Sequence, residues 1–466
     1  MGPSRFRGVG RLFAGSSADL VGFYAGYSIG RLASLVVLPV LSRVLGVGGF
    51  GGYEATNAAL VAGAIVLDAG LGTAIIRYLH DGHPVGDLLG AATRIQLAAS
   101  AAAALIISPL VVFAAPPGSP AWVLVTAAVA FCFIEGFAVL ALGLLRGEGR
   151  TTLFLNLSLL RLGITCAATT LGAELGGVSG AILGFAFGGL GFALYGAARL
   201  MNDRITSSPR TRRMLMRYGL PLMATSLMTW ALSLSDRLFL RASVTATTLA
   251  QYAANYRLSN LVLVFLAGPL ALAWLPTAQR LATRGDALLR SATTKWAVVF
   301  TCLSLSAVAL LLAAGQWVVP IAFGSGFELH RFVIAAVGLS SWLGGLYFLL
   351  ATPIIVGDDT RPMAWVALSI VAVNLVANTA LILPFGINGA AAATLLSYFA
   401  LCAAIDFVAR RRSPARAPRR RDLSAMLVVA VAGTAAATAA VPVAAVIAVG
   451  YAGAAAFVAW GRRPAA

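Results

Sequence analysis

Three arginines and four carboxylates of this chain stand where charge is unfavourable. Arg31, Arg161 and Arg257 each interrupt a long apolar run, and Glu54, Asp68, Glu135 and Asp236 do the same. A guanidinium near the centre of a bilayer costs roughly 2.5–3.5 kcal/mol on insertion scales, so it persists where it meets water, a counter-charge or a ligand. Arginine is planar and permanently charged, and it offers paired donors to phosphate oxygens, which lysine does not. Arg31 and Arg257 are therefore candidates for binding an anionic, phosphate-bearing ligand. Arg161 is a third candidate, for which an internal ion pair or a snorkelling side chain is an equal explanation. Asp68 and Glu135, with Glu54 and Asp236, are candidates for ion coupling or gating. Asp236-Arg237 reads as a boundary pair near the outer face, and Arg94 as an inner-leaflet anchor or a guard at a cavity mouth.

The elements that must hold these residues follow from composition. The chain has 466 residues, 60% apolar and 11% charged, against about 45–50% and about 25% in soluble domains. That excludes a soluble enzyme, a disordered protein and a secreted disulfide scaffold. An all-α polytopic membrane protein remains. Apolar segments lie near 18–42, 52–76, 89–114, 120–144, 153–173, 177–199, 217–239, 248–273, 291–315, 331–356, 362–384, 387–409, 423–440 and 442–460, about fourteen spans. The stretch after Arg5, Arg7 and Arg11 lacks a small-residue cleavage site and is read as an uncleaved first span. Cys132, Cys166, Cys302 and Cys402 fall inside apolar runs and read as small buried hydrophobes.

Loop charge sets the expected orientation. Of the 34 cations, only Lys295 is a lysine. With a cytoplasmic N-terminus, 27 cations fall on the inside and 4 on the outside, the asymmetry that marks cytoplasmic loops. Both termini are expected in the cytoplasm. The net charge of +18 would suggest nucleic acid in a soluble protein, but here the arginines sit between spans, and no nucleic acid is expected. Two basic, proline-containing linkers divide the chain into a six-span lobe at 1–204, a linker at 205–212, a six-span lobe at 213–412, and a basic linker with a C-terminal helix pair at 413–466.

The two sets of six spans repeat. Gly177-Val178-Ser179-Gly180-Ala181 corresponds to Gly386-Ile387-Asn388-Gly389-Ala390. The loop Gly147-Glu148-Gly149-Arg150 corresponds to Gly357-Asp358-Asp359-Thr360-Arg361, and Tyr53 to Tyr252. A direct duplication of six spans keeps each copy in the same orientation, which implies a pseudo-twofold along the membrane normal and alternating access between the lobes.

These residues carry a family resemblance. Residues 38–78 contain, in order, Pro39, Arg43-Val44-Leu45-Gly46, Phe50-Gly51-Gly52-Tyr53, Asp68-Ala69-Gly70-Leu71-Gly72 and Arg77. The seventh span opens RYGLPLM at 217–223 and continues to SDRLFL at 235–240 and QYAANYRLSN at 251–260. Over about residues 15–412 the chain resembles the polysaccharide and O-antigen flippases of the MOP exporter superfamily, relatives of the lipid II flippase and the MATE exporters. The resemblance implies two six-helix bundles around a central cavity lined by spans one and eight, which hold Arg31 and Arg257. It also implies export of a polyprenyl-pyrophosphate-linked oligosaccharide from the inner to the outer leaflet of the bacterial cytoplasmic membrane. Membrane lipids, a proton or sodium counter-ion and other polysaccharide-assembly proteins are the partners that go with it.

Other patterns carry less. Gly46, Gly48 and Gly51 match the spacing of a dinucleotide fingerprint, but membrane spans flank them where a strand and a soluble helix are required. His80 and His83 have only His330 as a further histidine and read as a solvated loop. No Walker loop is present, and no cofactor or metal is implied. Gly176, Gly180, Gly184 and Gly188 recur every four residues and predict a close helix-packing face. Two other functions compete. A MATE-like drug/cation antiporter would use a buried carboxylate such as Asp68 or Glu135, whereas the buried arginines favour an anion. A membrane glycosyltransferase or polymerase would place acidic groups in sizeable outside loops, and these loops are short. The chain is therefore expected to be a transporter without a catalytic site.

Overall fold

A computed structural model of the chain is helical throughout the described residues, with no strand among them. It describes residues 17–460 apart from 69, 203–205, 207 and 357–360. The side chains of Arg31 and Asp68, and the loop Gly357–Thr360, lie outside the described residues. Each of the fourteen spans read from the sequence overlaps a helix.

Among the described residues, seven helices are long and apolar enough to cross a membrane. Two of them, Thr151–Met201 and Pro362–Arg412, have 51 residues each. At 1.5 Å per residue such a rod would be about 75 Å long, more than twice the roughly 30 Å hydrocarbon core. Each is broken at glycine instead. Gly177 has φ 58° and ψ −139°, and Gly386 has φ 56° and ψ −129°. Only glycine adopts this backbone readily, because a Cβ would clash with the chain on either side. The first helix breaks in the same way at Gly46, with φ 65°. Chain contacts divide the protein into two units, Met1–Trp230 and Ala231–Ala466.

The first unit contains α1 (Ser17–Asp68), α2 (Leu71–His80), α3 (Val85–Ala114), α4 (Ala121–Gly147), α5 (Thr151–Ala186), α6 (Leu190–Asn202) and α7 (Pro209–Trp230). Lipid tails are as apolar as leucine, so helices in a bilayer associate through close packing of small residues rather than through hydrophobic burial. The glycine face predicted from the sequence does this. Past the Gly177 break, Gly180, Gly184 and Gly188 lie against Gly172, Ala168 and Thr165 of the preceding leg, with no space for a side chain. Gly176 differs from the prediction. It sits in the turn, with open space around it, and not on the packing face. The stretch read as a polar linker also differs: Pro209 begins α7, so the arginines at 210, 212, 213 and 217 lie on a helix. Proline suits a first helical position, where no N–H is needed.

The second unit contains π-helical turns at Ala231–Ser235 and Leu263–Ala267, with α8 (Asp236–Ser243), α9 (Ala246–Val262), α10 (Gly268–Ala282), α11 (Asp286–Phe323), α12 (Arg331–Leu350), α13 (Thr352–Ile355), α14 (Arg361–Arg412), α15 (Arg420–Ala439) and α16 (Val441–Trp460). Helix α12 is buried along nearly its whole length. The C-terminal pair packs on α11, and two features hold it there. Arg331 donates from Nε to the Thr438 carbonyl at 2.9 Å and from Nη2 to the Ala437 carbonyl at 2.9 Å, capping α15. Ser306 on α11 donates to the Ala448 carbonyl of α16 at 2.5 Å. Across the Gly386 break, Gly389 approaches Leu381 without room for a Cβ, as Gly180 approaches Gly172. One local hairpin geometry therefore occurs in both units, at the positions where the sequences correspond.

Candidate functional site

The first unit brings two of the sequence candidates together. Glu135 on α4 and Arg161 on α5 form an ion pair, in which Arg161 Nη2 donates to the two carboxylate oxygens at 3.1 and 3.0 Å. Glu135 is well covered and Arg161 partly so. Gly189 lies close beside the carboxylate, where a Cβ would come within 3.0 Å of Glu135 Oε2. The two charges neutralise each other, so the pair presents no net charge to a ligand. Glu54 is fully buried within α1. Arg94 is exposed on α3.

A second pair lies deeper in its unit. Asp236 and Arg237 are buried, with exposures of 1% and 0%. Arg237 Nη1 donates to Asp236 Oδ1 at 2.9 Å and to the Ser233 carbonyl at 2.7 Å. The Arg237 guanidinium lies 4.5 Å from the centre of the Tyr256 ring, within cation–π range. The Tyr252 hydroxyl donates to the other Asp236 oxygen. Removing two charges from water is unfavourable unless their remaining donors and acceptors are satisfied, and here a hydroxyl, a carbonyl and an aromatic face offset part of that cost. The physical reason lies in the adjoining π turn, Ala231–Ser235. Such a turn holds an extra residue and leaves carbonyls outside the regular ladder, and the Ser233 carbonyl accepts from Arg237 in this way.

The pair adjoins a buried polar ladder. Ser235 donates to Asn374 Oδ1 at 2.9 Å, Asn378 Nδ2 donates to Ser235 Oγ at 3.2 Å and to Asn374 Oδ1 at 3.1 Å, and Asn374 Nδ2 donates to Ser397 Oγ at 3.1 Å. The ladder ties the π turn to both legs of α14. Asn374, Asn378, Ser397 and Tyr256 were not singled out in the sequence reading. Two asparagines four residues apart in an apolar run were a usable signal, since polar side chains in a membrane helix seek partners. Arg257 follows Tyr256 on α9 and is half-buried. Among the described residues no group of three histidines, cysteines or carboxylates could hold a metal ion.

The unit geometries, the glycine-broken helices and the buried charges define a multi-pass helical membrane protein. Solved structures share this fold. The structure of the lipid II flippase MurJ in an inward closed conformation matches with a TM-score of 0.70 at 11% identity, covering 95% of this chain and 99% of that one. An inward-facing multidrug resistance MATE family transporter matches at 0.62 and 15% identity, covering 85% and 99%. A MOP superfamily transporter from Pyrococcus furiosus matches at 0.55 and 14% identity, covering 85% and 96%. No curated protein matches by sequence. Residues 22–282, more than half of the chain, match the family described as polysaccharide biosynthesis protein, and the chain belongs to that family.

Proposed function

We propose that this protein flips a polyprenyl-pyrophosphate-linked oligosaccharide from the inner to the outer leaflet of the bacterial cytoplasmic membrane, by alternating access and without catalysis. The observation that carries this reading is the family match across residues 22–282. The fold likeness to a lipid II flippase supports it. Both termini lie in the cytoplasm, a placement that the arginine asymmetry supports. The pseudo-twofold lobes are residues 1–204 and 213–412, and the backbone likeness of Gly177 and Gly386 supports that division. Arg31 and Arg257 bind the pyrophosphate, supported by their isolation in apolar spans and by the fit of guanidinium to phosphate. A proton or sodium ion acts as counter-ion through Asp68, and other polysaccharide-assembly proteins supply and receive the substrate.

The test is direct. The purified chain in proteoliposomes, given a lipid-linked oligosaccharide in one leaflet, should make the glycan accessible to a lectin or glycosidase on the other side. Protein-free vesicles should not. A deletion strain should accumulate the same lipid-linked intermediate on the cytoplasmic side. Export of cationic drugs with no effect on lipid-linked glycan would instead support the MATE-like reading, which the Glu135–Arg161 pairing already disfavours by neutralising one of its carboxylates.

A further inference from the structure

Helices α3 and α7 of the first unit enclose an open groove of about 560 Å³. Its polar lining consists of three guanidinium groups, those of Arg94, Arg212 and Arg213, and the rest is apolar, with Ile95 from α3 and Met216 and Met223 from α7. Among the described residues none of the three arginines has an ion-pair or hydrogen-bond partner for its guanidinium, and Arg212 Nε is buried without one. Unpaired like charges gathered on an apolar surface repel one another, so the arrangement is completed by an anion with apolar chains.

The groove is held in shape by a carboxylate. Asp87, in the first turn of α3, accepts the Ser208 backbone N–H at 3.0 Å and the Thr211 hydroxyl. Ser208 Oγ accepts the Thr211 N–H at 3.0 Å, and Thr206 N–H donates to the Gly86 carbonyl at 3.3 Å. Asp87 thus fastens the starts of α3 and α7 together, and both of its oxygens are engaged. Among the described residues it makes no ion pair with the three arginines. The two helix N-termini that meet here add positive potential. Arg212 lies about 5 Å along α7 and Arg94 about 14 Å along α3, from a rise of 1.5 Å per residue, which spans the head-group layer and the edge of the hydrocarbon. The connection between α6 and α7 is on the arginine-rich, cytoplasmic side.

We infer that this groove binds an anionic glycerophospholipid of the cytoplasmic leaflet, with its phosphate between the three guanidinium groups and its acyl chains along Ile95, Met216 and Met223. Basic pockets between transmembrane helices on the cytoplasmic side suit such head groups. The lining has no hydroxyl, carboxamide or aromatic side chain, the groups a sugar would need, which favours a resident lipid over the glycan-bearing substrate. The assignment does not depend on the flippase reading.

The test uses the full chain, purified and exchanged into nanodiscs containing equal phosphatidylglycerol and phosphatidylcholine, with co-purifying lipid measured by native mass spectrometry. Wild type should retain phosphatidylglycerol over phosphatidylcholine by about fivefold or more, from roughly one favourable step per basic group near the surface. R94Q/R212Q should lose most of that preference, while R280Q/R284Q, with the same loss of charge at exposed positions at the end of another helix and in the turn after it, should keep it. R94Q alone, at an exposed side chain that packing does not require, should move the preference in the same direction. Unchanged retention in R94Q/R212Q or in R94Q would overturn the proposal, as would an equal loss in R280Q/R284Q. Polyprenyl phosphate and inorganic phosphate are added as competitors. Displacement of phosphatidylglycerol by stoichiometric polyprenyl phosphate would make the groove a substrate subsite and overturn the resident-lipid assignment. Displacement by inorganic phosphate would show that the acyl chains play no part. A glycan-flipping assay that fails while this binding pattern holds would count against the function alone.

Discussion

Gly70 and Gly219 meet backbone to backbone: a Cβ on Gly70 would stand 2.5 Å from the Gly219 carbonyl oxygen and 2.6 Å from its Cα. One glycine starts α2 and the other lies on α7, and each belongs to a sequence motif of the family. Beside them, Leu71 and Ile75 pack with Leu88, Leu144 and Leu215. The Arg77 guanidinium lies 4.8 Å from the Tyr218 ring centre. Gly70 also has φ 66°, so alanine there meets both strain and collision. Gly70→Ala should lower stability by about 2–4 kcal/mol, combining left-handed strain with overpacking. Thermal unfolding of the detergent-purified protein measures it, and a change below about 1 kcal/mol would show that α7 can move away freely.

The two hairpin glycines offer a matched pair. Gly177 and Gly386 share one backbone conformation, and neither has an atom closer than 3.9 Å to a would-be Cβ. Alanine at either position therefore meets backbone strain alone, about 1–3 kcal/mol. Equal costs for Gly177→Ala and Gly386→Ala are expected if the two turns are copies of one element. A large cost at one and none at the other would remove this support for the repeat.

Glu135 and Arg161 should behave as a unit. Each single change leaves a partly covered charge without its partner, so Glu135→Gln and Arg161→Gln should each destabilise by about 1–3 kcal/mol, less than for a fully buried pair because Arg161 keeps some access to water. The double substitution should cost less than the two single costs added together. Additive costs in that cycle would show that the pair contributes nothing as a pair.

The proposed binding of substrate by Arg31 and Arg257 has a clear readout. Arg31→Ala and Arg257→Ala should insert normally and flip at least about tenfold more slowly, since a charged hydrogen bond to phosphate is worth about 1.5–3 kcal/mol. Arg→Lys should restore part of the rate by restoring charge without the planar donor pair. Wild-type flipping by both alanine variants would end the proposed role.

Membrane potential supplies a further prediction. The absence of a nucleotide-binding loop from the sequence directs attention to this source. A pyrophosphate head group carries roughly two negative charges, and each is worth about 2.3 kcal/mol per 100 mV. With the inside negative, outward movement is favoured by roughly 4–5 kcal/mol at 100 mV when the charge is uncompensated. Flipping under a valinomycin-set potential should accelerate as the lumen facing the substrate is made more negative. A rate that ignores potential and follows a sodium or proton gradient would assign the work to ion coupling.

Much of this protein was legible before any coordinates. Span positions, the helical class and the polypeptide's likeness between its two halves are carried by local properties: runs of apolar side chains long enough for a bilayer, arginines between them, and glycines at repeated positions. Each of these acts through residues close in the chain, so a one-dimensional reading captures it. The glycine face of α5 was read correctly for the same reason, while Gly176 was misplaced because the break fell exactly where the period began to fail, a matter of one backbone angle.

Partnership was decided only in three dimensions. The sequence marked Arg161 and Glu135 as separate candidates and could not say that two helices bring them within 3.0 Å. It marked Asp236-Arg237 as a pair and could not say that a π turn, two tyrosines and the α14 ladder surround it. It read 205–212 as a linker, whereas a helix begins at Pro209, Asp87 fastens its start, and Arg94, Arg212 and Arg213 line one groove. The physical reason is common to all three. Hydropathy and loop charge depend on a residue's own transfer energy, which belongs to its type, but the state of a buried charge depends on which distant groups packing brings to it.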